Sequence, residues 1–171
     1  MVVLASCGRP SPPGSGPVEA RGSDAGGRAT GAGSIKGGEG IAFDLDNVGD
    51  PTNPSLPTYR KTYDVSALKG VTFKAKGNAS LHFAVATADV IPVEWKGTCL
   101  SSASDDCDRA HQATITLRSE WQAFTIPFAI LSQPGVGPRI PFDPRKAIAM
   151  RFFVSAGPSF DISVDDLGFY K

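Results

Sequence analysis

Apolar and polar residues alternate on both sides of a turn near the end of the chain. Every second residue is apolar from 148 to 154 and again from 160 to 164. Ala156-Gly157-Pro158-Ser159 separates the two runs. Side chains that point alternately to the two faces of a sheet produce this pattern. We therefore predict a final antiparallel strand pair. Its core-facing side chains should be Ile148, Met150, Phe152, Val154, Phe160, Ile162 and Val164.

The same alternation recurs upstream in short runs separated by loops. It predicts further strands at 41–45, 71–76, 81–86, 112–118 and 121–128. The last two should pair through Arg118-Ser119-Glu120, and Gly77-Asn78 should form a turn. No strand alternates with a helix-length pattern, which argues against a parallel sheet with crossover helices. The chain is therefore predicted to be all-β, an antiparallel two-sheet β-sandwich of the jelly-roll kind.

Composition agrees with this architecture and excludes some functions. The 171 residues include 17 Lys and Arg against 17 Asp and Glu. A nucleic-acid-binding protein would normally have a basic surplus, so no nucleic-acid partner is expected. Glycine (19) and proline (14) are frequent, as long loops require. No apolar run is long enough to span a bilayer.

Three segments of different composition divide the chain. Residues 1–7 end in Leu-Ala-Ser-Cys7, which resembles the lipobox of bacterial lipoproteins, although the apolar stretch before it is too short for a secretion signal. Either the true start lies upstream, or the similarity is chance. Residues 8–39 are rich in Gly, Pro and Ser and predict a flexible linker, with weak edge strands at 18–21 and 28–30 as an alternative. Residues 40–171 form the predicted domain.

Four stretches of the sequence resemble stretches of one known family and occur in the same order. Residues 63–77 read YDVSALKGVTFKAKG, 121–128 read WQAFTIPF, 142–148 read FDPRKAI and 164–167 read VDDL. Together they resemble bacterial jelly-roll carbohydrate-binding modules of the galactose-binding-domain-like fold. The complex I intermediate-associated family shares that fold and the closing pattern. The family's opening D-D-F-E strand is missing, which suggests a domain that is N-terminally truncated or degenerate.

The resemblance implies a function. We expect an exported, monomeric, non-catalytic protein that binds a polysaccharide or glycan and is either secreted or lipid-anchored at Cys7. Two alternatives stay open: a scaffolding β-sandwich that binds a protein, and a small glycoside-active enzyme. No serine nucleophile elbow, His-Glu-x-x-His helix or phosphate-binding glycine loop supports an enzyme.

Aromatic side chains are the first candidates for a sugar site, because sugar rings present an apolar C–H face. Trp95, in the loop at 88–110, is the preferred stacking residue, and Tyr59 is a second. Trp121, at a strand start, is a further candidate, for which packing in the core or at its rim is the favoured role. Lys74 stands where the family commonly has an aromatic residue, and we include it in the candidate site.

His82 completes the candidate site. It faces opposite to Leu81 and Phe83 and shares its parity with Ala84 and Ala86. Such small residues either line a concave groove or form a thin solvent-facing surface.

Cys99 and Cys107 lie eight positions apart in a polar loop. In an exported protein a disulfide is the default for such a pair. A zinc site that includes His111 and a pair of free thiols are the alternatives, but no fourth zinc ligand is evident.

Asp165 and Asp166 are adjacent carboxylates within a predicted strand. A regular strand would point one of them into the core, where it needs a partner. The resemblance implies a structural calcium ion there, which requires six to eight oxygen ligands. Strand-end aspartates held by hydrogen bonds are the alternative.

Overall fold

A computed structural model of the chain describes residues 3–6, 27–33, 39–46, 61–93, 97–100, 107, 109–135, 139–155 and 157–171. This part contains nine β-strands and short 3-10 turns, and no helix in it is long and apolar enough to cross a membrane. The strands are β1 (Val3–Ser6), β2 (Gly27–Gly33), β3 (Glu39–Asp44), β4 (Gly70–Gly77), β5 (Ser80–Thr87), β6 (His111–Thr116), β7 (Gln122–Pro127), β8 (Ala147–Val154) and β9 (Gly157–Tyr170).

The strands form two sheets with a nested pairing. One sheet has the order β1-β3-β8-β5-β6 and the other the order β2-β9-β4-β7. Strand β2 pairs with β9, β3 with β8, β4 with β7 and β5 with β6, all antiparallel. Eight strands paired in this way, as if one long hairpin were wrapped around a core, make a jelly roll. The all-β sandwich is thus confirmed, with β1 added parallel to β3.

Two predicted strand pairs are wrong. Strands β6 and β7 lie in different sheets, and so do β8 and β9. Strand β9 also begins at Gly157, inside the predicted turn. Two consecutive strands with one apolar face each can pair at their edges or face each other across the core, and both arrangements bury the same side chains. The alternation therefore predicts the strands but does not decide between these connections.

Phe73 lies at the centre of the core between the sheets. Its ring centroid is 4.9 Å from that of Phe152, 5.5 Å from that of Phe124 and 5.6 Å from that of Phe83. The predicted packing of β8 and β9 side chains into this cluster is confirmed for Met150, Phe152, Val154, Ile162 and Val164. Ile148 is the exception, because it is buried in a second cluster that includes Ala84 and Ala86.

A β-bulge explains the two adjacent aspartates. Thr72 pairs with Gly168 and Lys74 with Asp165, so β9 has one more residue than β4 over this interval. Asp166 has a φ of 51°, a left-handed conformation that aspartate tolerates better than most residues. The extra residue shifts the alternation of β9 by one position. As a result Leu167, rather than Asp166, packs against the core.

Two strands lie within the N-terminal segments. Strand β1 falls inside residues 1–7, and β2 falls inside residues 8–39, where it includes the alternative edge strand at 28–30. Strand β2 occupies the edge of the four-stranded sheet beside β9. Cys7 lies outside the described residues, so its lipidation stays a prediction.

Candidate functional site

The two predicted site residues that the structure describes, Lys74 and His82, do not lie together. Lys74 alternates with the buried Phe73 and Ala75 and therefore lies on the outer face of the four-stranded sheet. His82 alternates with the buried Leu81 and Phe83 and lies on the outer face of the five-stranded sheet. The two residues are on opposite sides of the sandwich. Tyr59 and Trp95 lie outside the described residues.

His82 is fixed by three neighbours on its sheet face. Its Nδ1 lies 2.9 Å from Thr114 Oγ1, and its Nε2 lies 3.0 Å from Ser155 Oγ. Its ring stacks on Phe153 with centroids 5.0 Å apart. Partial burial lowers the pKa of His82, so the ring is neutral at neutral pH. Because both ring nitrogens already have partners, the His82 ring is held in one orientation on this face of the sheet.

The small residues beside His82 do not line an open groove. Ala84 and Ala86 are fully buried. They pack in the second cluster with Val90 and Ile91, which follow β5. The segment after β5 therefore folds back over this face of the sheet, so neither a concave groove nor a thin solvent face exists at these two positions.

The carboxylates at the bulge are satisfied within the protein. Lys74 Nζ lies 2.7 Å from Asp166 Oδ2, and Asp165 Oδ1 accepts a hydrogen bond of 2.8 Å from the Asp166 N–H. Among the described residues no group of three or more potential metal-ligating side chains occurs. Since calcium needs six to eight oxygens and an ammonium group already contacts Asp166, the residues present here do not fit a calcium site.

The predicted disulfide between Cys99 and Cys107 is present, with Cα atoms 5.9 Å apart. It closes the loop that follows the 3-10 turn at Ala88–Val90. The same loop is held by Asp89, whose carboxylate lies 3.0 Å from Lys146 Nζ and accepts a hydrogen bond from Thr98 Oγ1. The cysteines therefore have a structural role.

A groove lies on the outer side of the four-stranded sheet. Its volume is about 500 Å³. It lies where β4 ends, between β9 and the start of β7. Its lining is polar and consists of Lys76, Gly77, Asn78, Ser119, Asp161 and Ser163. We call it the Trp121 groove, because its lining residue Lys76 contacts the Trp121 ring.

Trp121 is a candidate stacking residue for which the sequence favoured packing in the core or at its rim. Its side chain is 46% exposed, and Lys76 Nζ lies 5.0 Å from its ring centroid, in a cation–π arrangement. The signal in the sequence is the alternation of inward-facing and outward-facing side chains along this strand. Trp121 shares its parity with Ala123 and Thr125, whereas the strand positions of the other parity, Phe124 and Ile126, pack in the core.

Hydrogen bonds shape the floor of the groove. The Asn78 side-chain oxygen accepts a 2.9 Å bond from the Asp161 N–H, and the Asn78 N–H donates to the Asp161 carbonyl oxygen at 3.3 Å. Because the amide oxygen takes the N–H, the Asn78 NH₂ group remains as a donor for a ligand. The groove therefore offers donors, acceptors and one charge of each sign, and the Trp121 ring adjoins it through Lys76.

No protein-family model matches the sequence, and no curated protein matches it either. Solved structures of similar architecture exist. The family 11 carbohydrate-binding module of the cellulosomal cellulase Lic26A-Cel5E of Clostridium thermocellum is 16% identical, with a TM-score of 0.47, and the match covers 86% of this chain and 83% of that one.

Two further structures are similar at the same identity. A family 11 module from Clostridium thermocellum in complex with a β-1,3-1,4-mixed-linked tetrasaccharide is 16% identical over 86% of this chain and 84% of that one, with a TM-score of 0.48. A family 30 carbohydrate-binding module is 16% identical over 67% and 57% of the two chains, with a TM-score of 0.43. Such similarity carries no argument about the ligand, and the jelly-roll assignment rests on the strand pairing itself.

Proposed function

We propose that the protein binds a polysaccharide or glycan without catalysing a reaction, and that the Trp121 groove is the binding site. The observation that carries this proposal is a half-exposed tryptophan whose ring contacts Lys76, a lining residue of a polar groove of about 500 Å³. A large aromatic side chain gains free energy from burial, so its exposure at a groove marks a surface that a ligand can cover. The C–H face of a sugar ring suits such a surface.

The polar lining supplies what the hydroxyl groups of a sugar need. Lys76 and Asn78 donate hydrogen bonds, Asp161 accepts them, and the hydroxyl groups of Ser119 and Ser163 do both. A ligand pocket typically pairs an apolar surface with a few such groups that fix orientation. The single positive and single negative charge of the lining favour an uncharged sugar.

The glycosidase alternative receives less support from the same groove. Most glycoside hydrolases use two carboxyl groups on either side of the scissile bond. Among the described residues that line the Trp121 groove, Asp161 is the one carboxylate. Non-catalytic binding is therefore the function we propose, and export with a lipid anchor at Cys7 remains a prediction.

Affinity electrophoresis against a panel of soluble neutral and acidic polysaccharides tests this proposal. We expect the wild-type protein to be retarded by at least one neutral polysaccharide, and Trp121→Ala to migrate as if no polysaccharide were present. A reducing-sugar assay on the retarding polysaccharide should show no release of chain ends. Equal retardation of the wild type and Trp121→Ala would contradict the assignment of the groove.

A further inference from the structure

Strand β7 forms one edge of the four-stranded sheet. It pairs with β4, and no described strand pairs with its other side. The Phe128 N–H donates to the Lys69 carbonyl oxygen at 2.9 Å, and this pair continues the register of β7 with β4. In an antiparallel pair, the backbone groups of consecutive residues point alternately towards the partner strand and away from it. The N–H and carbonyl groups of Ala123 and Thr125 therefore point away from β4.

The other three edges of the two described sheets have features that block further pairing. In β6, the Gln112 N–H donates to Ser132 and the Gln112 carbonyl oxygen accepts from it, at 2.9 and 3.0 Å. Strand β2 has an irregular register between Gly31 and Gly33, and β1 has only four residues. Covering segments, bulges and short strands are common protections of a sheet edge against pairing with another chain.

Strand β7 has little protection of this kind. Its sequence is QAFTIP, which contains no charged residue, and its register with β4 shows no shift. Pro127 lacks an N–H, but it stands at the last position of the strand. The side chains of Ala123 and Thr125 are small and exposed. A regular, uncharged and exposed edge is a template for an additional strand.

The charges of the chain favour a second copy of this protein as that strand. Its formal net charge is +0, so two copies do not repel each other through net charge. Lys74 is the neighbour of Ala123 on β4, and its Nζ lies 2.7 Å from Asp166 Oδ2. Across a pair of β7 strands, the two Lys74 positions would lie three strand spacings apart, which is about 14 Å. This separation exceeds the screening length of about 8 Å at physiological ionic strength.

We propose that the chain forms a two-fold symmetric dimer in which β7 pairs antiparallel with β7 of a second copy, centred on Ala123. In this register Ala123 faces its own equivalent, and Trp121 of each copy faces Thr125 of the other. Three pairs of residues then exchange about six hydrogen bonds. A pairing centred on Phe124 would instead place Trp121 opposite Pro127, which has no N–H to donate. The proposed dimer replaces the monomer that was expected from the sequence.

The dimer joins the two four-stranded sheets into one sheet of eight strands. Both Trp121 side chains then lie on the same outer face, four residues or about 14 Å apart along the strands. Dimerisation itself does not require a glycan. One consequence rests on the proposed function: the dimer presents two Trp121 grooves to one polysaccharide, which raises the apparent affinity for long chains.

Sedimentation equilibrium of the full chain measures the dimer. Every variant carries Cys7→Ser, which excludes an intermolecular disulfide through Cys7. One strand pair buries less surface than a standard interface, so we expect a reversible dimer that forms below about 1 mM protein. Hydrogen exchange gives a second readout. The amides of Ala123 and Thr125 should exchange several-fold more slowly at high protein concentration than at low concentration.

Charged residues at the centre of the pair test the register. Ala123→Lys and Ala123→Glu should each weaken dimerisation about fivefold, because like charges then face each other. An equimolar mixture of the two variants should recover the dimer, since opposite charges then face each other. Thr116→Lys is the matched control. Thr116 is an exposed residue on the edge strand β6, so this variant should dimerise as the wild type does.

Three results would overturn the proposal. A wild type that stays monomeric up to about 1 mM would leave the edge of β7 to a peptide of another protein. Wild-type dimerisation of Ala123→Lys, or a mixture with Ala123→Glu that fails to recover the dimer, would exclude pairing at Ala123. Circular dichroism at low concentration shows whether each variant is folded. If a variant is not, unchanged exchange of the wild-type Ala123 and Thr125 amides with concentration is decisive against the dimer.

Discussion

Lys74 Nζ lies 2.7 Å from Asp166 Oδ2, at the β-bulge in the pairing of β4 with β9. Both side chains are more than half exposed. The hydrogen bond and the negative charge of Asp166 raise the pKa of Lys74, so the lysine stays protonated. This lysine contacts one of the two carboxylates at which the resemblance implied a calcium ion.

Calcium should therefore leave the thermal stability unchanged. An ion that binds only the folded state raises the melting temperature, and here the described groups do not supply the oxygens that calcium needs. Differential scanning fluorimetry with added calcium and with a chelator should give the same melting temperature. A calcium-dependent rise that Asp165→Asn or Asp166→Asn abolishes would show that the bulge does bind the ion.

The bulge itself predicts a strict conformational requirement at Asp166. A β-branched residue is strained at a positive φ, whereas glycine is not. The free energy of unfolding of Asp166→Val, measured by urea denaturation, should be about 1–2 kcal/mol lower than that of Asp166→Gly. Both variants remove the contact with Lys74, so that contact does not contribute to their difference. Equal stabilities would mean that the left-handed conformation is not required.

The strands and the core could be predicted because alternation reports burial directly. Phe73, Phe83 and Phe152 have the predicted parity and meet in the core. The pairing could not be predicted, because a strand with one apolar face satisfies the pattern beside its neighbour or opposite to it. The bulge could not be predicted either. The sequence of residues 164–167 shows two adjacent aspartates, but it does not show that β9 has one more residue than β4 at this point.

Phe73 should be the most sensitive core position, because its ring contacts three other aromatic rings. It is 2% exposed, and its removal leaves a cavity that the sheets cannot close. Phe73→Ala should lower the free energy of unfolding by about 3–5 kcal/mol. Ile130→Ala, at a side chain that is 56% exposed, should change it by less than about 0.5 kcal/mol. Similar losses in both variants would contradict the description of the core.

The candidate site was predicted only in part. His82 and Lys74 were correctly placed on outward-facing parities, but the sequence does not show that the two parities belong to different sheets. The packing of a segment over Ala84 and Ala86 could not be predicted either, because it depends on the course of a long loop. Trp121 was recoverable, since its parity with Ala123 and Thr125 opposes that of the core side chains.

Acid should destabilise the protein through His111. Burial lowers the pKa of His111 below its ordinary value of 6.5, although the hydrogen bond to Ile140 acts in the opposite direction. The unfolded chain therefore takes up the proton first as the pH falls. The stability contributed by neutral His111 is present above about pH 6.5 and is lost as the pH falls through the folded-state pKa.

Urea denaturation between weakly acidic and neutral pH measures this effect. The free energy of unfolding should decline below about pH 6.5, and His111→Gln should flatten the decline. His82→Gln is a useful comparison, because burial also lowers the pKa of His82. A His111 ring that titrates at or above 6.5 in NMR spectra would contradict the prediction.

The central claim is that Trp121 forms the surface on which a glycan binds. Isothermal titration calorimetry, with the polysaccharide that best retards the wild type, measures it directly. Trp121→Ala should bind at least about tenfold more weakly, because it removes the stacking surface. Ile130→Ala, which truncates another exposed apolar side chain outside the groove, should bind as the wild type does. Wild-type affinity in Trp121→Ala would contradict the account.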